Sequence, residues 1–128
     1  MISLEQALKI HELQIKIHGG AKGIRDQSLL EAALARPFAT FDGLDLYPKP
    51  IDKAAAILES TLINHPFIDG NKRTGYVLME LILRVNGLCV ILHLESQYDF
   101  TIKVAEGKMK IEEIIAWLNK HVIELSTL

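Results

Sequence analysis

Apolar residues in this chain recur three and four positions apart, in stretches closed by glycine, proline or an Asn-Gly pair, a pattern that points to a bundle of helices. Leu4, Leu8, Leu13, Ile15 and Ile17 form an imperfect helical stripe from about Ser3 to His18. Ser3 followed by Gln6 fits a capping box, and Gly19-Gly20 stops the helix. Asp26 can cap a short helix carrying Leu29, Leu30, Ala33 and Leu34 that ends before Pro37. Pro50 suits a helix start, with Ala54, Ile57, Leu58, Thr61 and Leu62 continuing one face, and Pro66 places the end near Asn64. Asn71 opens a strongly apolar helix carrying Val77, Leu78, Leu81, Ile82 and Val85, closed by Asn86-Gly87. Two more helices are expected, about Ser96 to Glu106 and about Lys110 to Leu125, the second with Ile111, Ile114, Ile115, Leu118 and Val122 inward. Pro37 to Lys49 reads as a long loop, and Leu88 to Leu92 as a strand or buried connection. The expected fold is therefore all-α: one compact domain over residues 1–128, about six helices, with at most a short extended segment near 88–92.

The 128 residues suffice for one core, and a hydrophobic content of 49% beside 23% charged residues is that of a globular protein in water. A formal net charge of -2 argues against direct nucleic-acid binding through bulk positive charge, though it leaves room for a local basic patch. Cys89, the single cysteine, lies in an apolar run and reads as a buried thiol. With no leader at the start and no apolar run of membrane-spanning length, a cytoplasmic location without membrane contact is expected.

The stretch His65-Pro66-Phe67-Ile68-Asp69-Gly70-Asn71-Lys72-Arg73-Thr74 holds a base, an acid, a tight turn and two cations directly before an apolar helix. The first backbone N–H groups of a helix have no partner within it, so with the helix dipole they form an anion site. Gly70 can take turn geometry closed to other residues. Lys72 and Arg73 stand where the dipole disfavours cations by about 0.3–1 kcal/mol each, so either they meet an anionic partner or they are merely solvated. Asp69 could hold magnesium, which takes one or two protein carboxylates and completes its shell with phosphates and water, or it could simply cap the helix. His65 could serve as general base or as a turn residue; Phe67 is expected to point inward.

The pattern His-x-Phe-x-Asp-Gly-Asn-Lys-Arg, here His65 to Arg73, resembles the signature of the Fic/Doc superfamily, closest to its Doc (death-on-curing) toxin branch. The likeness extends to Gly23-Ile24-Arg25-Asp26, to Leu29 through Pro37, and to Ala105-Glu106-Gly107 with Ile111 to Ile114. Fic adenylyltransferases carry Gly-Asn-Gly-Arg and a further Arg three positions on, where this chain has Lys72 and Tyr76. Lysine fills space that the Fic glycine leaves for nucleotide phosphates. The resemblance therefore implies a toxin of the type II toxin-antitoxin class that uses ATP and Mg²⁺ to phosphorylate a hydroxyl of a translation protein, elongation factor Tu being the family's target. It implies a Phd-like antitoxin as partner.

Carried over by position, the resemblance makes His65 the acceptor of the hydroxyl proton and Asp69 the magnesium ligand. Asn71, Lys72 and Arg73 would bind phosphates, and Gly70 would supply the turn. The alternatives are Fic-like adenylylation at the same site and a catalytically silent protein that acts by binding alone. Gly19-Gly20-Ala21-Lys22-Gly23 lacks P-loop spacing and reads as a helix stop, with Lys22 and Arg25 as candidate substrate contacts. His11 and His18 could share a helix face but lack a third metal ligand. Phe38, Phe41 and Tyr47 form either a satellite cluster or the edge of a groove.

Overall fold

A computed structural model describes residues 1–128. Six helices follow in order: α1 (Leu4–His18), α2 (Gln27–Ala35), α3 (Pro50–Asn64), α4 (Asn71–Val85), α5 (Leu94–Ala105) and α6 (Ile111–His121). Four short strands pair into two ribbons, β1 (Thr40–Phe41) with β2 (Leu44–Asp45) and β3 (Leu88–Val90) with β4 (Val122–Glu124), both antiparallel. The all-α class holds, and no helix is long and apolar enough to cross a membrane.

The centre of the fold is α3, buried along Ala54 to Leu58 and again at Ser60, Thr61 and Leu62. Against it pack Leu78, Met79, Ile82 and Leu83 of α4, Phe100 and Val104 of α5, and Ile114 and Leu118 of α6. Phe100 stacks on Trp117 with ring centroids 3.7 Å apart, pinning α5 to α6. Gly75 lets α3 and α4 meet closely: a Cβ there would drive into Leu62 Cδ1 and lie 3.2–3.3 Å from Thr61. The turn that joins these two helices is thereby seated on a close helix–helix contact.

Three expectations need correction. The last helix stops at His121, and Val122–Glu124 forms a strand. Leu88 to Val90, buried at Cys89 and Val90, needs partners for its backbone, and the β-branched Val122 and Ile123 extend readily to provide them, in the register Cys89↔Ile123. The loop after Pro37 is not wholly irregular either. Asp42 and Gly43 both have positive φ, 54° and 80°, and close a two-residue hairpin between β1 and β2. Finally, the buried stripe of α1 is Ala7, His11 and Ile15, while Leu13 and Ile17 face outward.

Candidate active site at the turn between α3 and α4

The chain reverses between α3 and α4 in six residues, 65–70. His65 ends α3 in the left-handed region, φ 48°, rather than the extended one that a following proline favours. The bend holds because Arg25, reaching over from the α1–α2 loop, donates through Nε to the His65 carbonyl at 2.6 Å and through Nη2 to that of Asn64 at 2.5 Å. Arg25 is thus a cap on the C-terminus of α3. Neither it nor the exposed Lys22 lines the cavity. Other bonds stitch the same loop to the turn. The Pro66 carbonyl accepts from the amides of Arg25 and Asp26, the Ile68 amide donates to Gly23, and Ile24 pairs with Phe67 as an isolated bridge.

Phe67 points inward, 1% exposed. Asn71 is 8% exposed, and its amide side chain closes the five-residue turn back onto Phe67: the Phe67 N–H donates to Oδ1 and Nδ2 donates to the Phe67 carbonyl, both at 2.9 Å. The side chain expected to bind phosphate is therefore committed to the turn, and what Asn71 offers the cavity is its backbone N–H. Gly70, φ 75°, is the N-cap of α4, and no side chain caps this helix. Asp69, the alternative cap, faces elsewhere: its Oδ1 accepts from the Gly70 amide at 2.8 Å and its Oδ2 from the Ala21 amide at 3.0 Å. Those two bonds, the Ala21 one foremost, hold its carboxyl below the usual 3.8 against some desolvation, with the Arg73 charge adding to the depression.

The first turn of α4 is unlike the others in this fold. α1, α3, α5 and α6 each carry an acid there, and α2 is capped by the Asp26 carboxylate. α4 has neither, and presents Lys72 and Arg73, both exposed and in no salt bridge. An open cavity of about 640 Å³ brings His65, Asp69, Gly70, Asn71, Lys72 and Arg73 together, with α1 and α5 supplying its other walls. Asp69 is the one carboxylate on that cavity. All six residues expected from the sequence thus share one surface: an imidazole, a pre-set carboxylate, two unpaired cations and a row of uncapped amides.

A model of the Fic/DOC family matches residues 1–83. This chain belongs to the Fic/Doc family. Over 122 residues, 93% of either chain, it is 30% identical to the protein kinase Doc of Escherichia phage P1. Over 91 residues it is 44% identical to the toxin Doc of Mycolicibacterium smegmatis, a match that covers 71% of this chain and 65% of that relative. Within the family, Tyr76 stands where Fic adenylyltransferases carry their later arginine. Its phenol is buried without a hydrogen-bond partner, and burial pushes its ionisation up, so it lines the cavity as a neutral group and cannot supply the arginine's charge.

Two supports of this Fic/Doc site escape a reading of the sequence. One is the Gly20-Ala21 pair, which lies against the Asp69 carboxylate and donates the Ala21 amide to it; the other is His11, whose ring bonds to the Asp69 carbonyl. The aromatics after Pro37 divide. Tyr47 lies under Arg36 and hydrogen-bonds to it, Phe38 lies under Lys53, and Phe41 at the hairpin is exposed.

Proposed function

We propose that this chain is the toxin of a toxin-antitoxin pair and works as a protein kinase, transferring the terminal phosphate of ATP to a hydroxyl of a translation protein. Elongation factor Tu is the target that the Doc resemblance suggests, and a Phd-like antitoxin the partner, its C-terminal segment folding as a helix into a groove. The observation that carries this reading is the uncapped first turn of α4 with its two unpaired cations, beside the imidazole and the carboxylate of the same cavity. The names of the relatives, a protein kinase Doc and a toxin Doc, point the same way.

In the reaction, His65 accepts the proton of the attacking hydroxyl while its oxygen bonds to the γ-phosphorus. The bond from that phosphorus to the bridging oxygen breaks, and ADP leaves. Charge on the phosphates meets the amides of Asn71 and Lys72 and the side chains of Lys72 and Arg73, so positioning and electrostatics supply most of the acceleration. General-base help from His65 adds ~10²–10⁴-fold. Asp69 suits a magnesium ion: a single carboxylate, kept ionised by two amides, fits an ion that finishes its shell with phosphates and water and not a resident structural metal. When bound, magnesium would offset phosphate charge.

The decisive assay incubates the pure protein with γ-labelled ATP, magnesium and host lysate, in parallel with His65→Ala. The expected result is label on one protein band with the native form alone. A target that gains the mass of AMP and no γ-label, the label leaving in pyrophosphate, would instead make the reaction adenylylation. Growth arrest by His65→Ala undiminished from the native level would leave a protein that acts by binding only.

A further inference from the structure

α1 places a second imidazole directly beneath the site. His11 is 5% exposed, in the middle of the buried stripe Ala7, His11, Ile15. Its ring lies flat on Phe67, centroids 3.8 Å apart and planes 4° from parallel. Its Nε2 meets the main-chain oxygen of Asp69 at 2.8 Å. A carbonyl oxygen can only accept, so Nε2 carries the hydrogen and donates it.

That carbonyl belongs to the Asp69–Gly70 peptide, whose amide donates to the Asp69 carboxylate from the other edge of the same plane. Because the peptide unit is planar, gripping its oxygen from below fixes where its N–H points above. The Gly70 conformation that follows sets the direction of the uncapped amides of α4. Gly70 itself rests on α1: a Cβ there would stand 3.0 Å from Ile15 Cδ1 and 3.6 Å from His11 Nε2. A leucine or phenylalanine at position 11 would fill the space without burying a polar ring, so packing alone does not account for a histidine.

We infer that His11 is a positioning residue: its bond to the Asp69 carbonyl locks the Asp69–Gly70 peptide so that the carboxylate and the first-turn amides of α4 face the cavity. Only the kinetic part of the test rests on the proposed phosphoryl transfer.

His11→Phe keeps a ring to stack on Phe67 and removes the donor; His11→Gln restores a donor of similar reach. In His11→Phe, hydrogen exchange at the Gly70 and Ala21 amides is expected to quicken about tenfold or more, while the Ile114 amide of α6 exchanges as in the native protein. With ATP and target, kcat should fall roughly 10- to 100-fold and KM change much less, because misplacement costs more in the transition state than in binding. His11→Gln should recover most of both losses. Native-like exchange at Gly70 and Ala21 in His11→Phe would overturn the inference, as would equal loosening of Ile114. Should His11→Phe not fold, the native protein decides: its ¹⁵N spectrum must show His11 protonated at Nε2, and the Nδ1-H tautomer is the overturning result. If the native protein transfers no phosphate at all, the kinase reading fails and the exchange data alone judge His11.

Discussion

Replacing Asn71 with alanine separates its two possible uses, as a ligand for phosphate and as a brace of the turn. Both polar atoms of the side chain are engaged, Oδ1 by the Phe67 amide and Nδ2 by the Phe67 carbonyl, in a buried setting. Truncation leaves two buried backbone groups unpaired at about 1–3 kcal/mol each, the lower end applying where water can enter. Alanine gains little at the first position of a helix, so a net loss of ~3 kcal/mol is expected. Unfolding entropy near 2.1 cal/mol/K per residue over 128 residues is about 0.27 kcal/mol/K, so the melting temperature should drop by ~11 °C. Calorimetry without nucleotide measures this directly, and urea titration should show a lower midpoint with an unchanged slope. A drop below about 3 °C would refute the bracing role and return Asn71 to the ligand.

The cations of α4 predict effects of opposite sign on stability and binding. Lys72→Glu puts an acid where the dipole wants one and should raise ligand-free stability by ~0.3–1 kcal/mol while abolishing binding of an ATP analogue in calorimetric titration. A destabilised Lys72→Glu would mean the lysine has a partner within the protein. Gly75→Ala gains about 1 kcal/mol of helix propensity but overpacks against Leu62 and Thr61, so a net loss of ~1–2 kcal/mol by urea unfolding is expected, and a gain would show that α3 and α4 can separate freely. Asp26 and Asp69 have carboxyls held below the ordinary 3.8, Asp26 chiefly by the Ser28 hydroxyl and Asp69 by the Ala21 amide. A depressed carboxyl stabilises the fold above its unfolded value and loses that contribution as pH falls through the folded one. The melting-temperature gaps between native protein and Asp26→Asn or Asp69→Asn should thus stay level down to pH ~4 and close below it. Gaps that widen in acid would contradict the sign.

The local rules of the sequence succeed where one residue controls its own backbone. Asp26 caps α2 through the Leu29 amide, Ser3 and Gln6 form the capping box, Asn86-Gly87 closes α4, and Asn71 opens it. They fail where the controlling partner is distant in the chain. Val122 fits the inward stripe of α6 as well as it fits a strand, and only the unpaired backbone of Leu88–Val90, more than 30 residues earlier, decides between them. His11 breaks the apolar stripe of α1 for the sake of a carbonyl 58 positions away. Asp69 precedes a helix and so reads as its cap, yet its carboxylate is claimed by the Ala21 amide across 48 positions. One miss was local: Asp42-Gly43 is a strong signal for a two-residue hairpin, hidden because its strands are only two residues long.

The site is a concentration of choices that each cost stability. His65 is held in the left-handed region before a proline, α4 starts without a cap, and two cations face the positive end of a dipole. Such a turn would not hold its shape on its own. The restraint comes from α1 and the loop after it, through His11, Ala21, Gly23 and Arg25, which hold the carbonyls of Asn64, His65, Pro66 and Asp69, the Ile68 amide and the Asp69 carboxylate. Gly20 shows how close this brace is, since a Cβ there would sit 2.6 Å from Asp69 Oδ2. The amino-terminal quarter of the chain therefore does for the site what a cap and an acidic first turn do for an ordinary helix. It fixes the amides and leaves them free for a ligand.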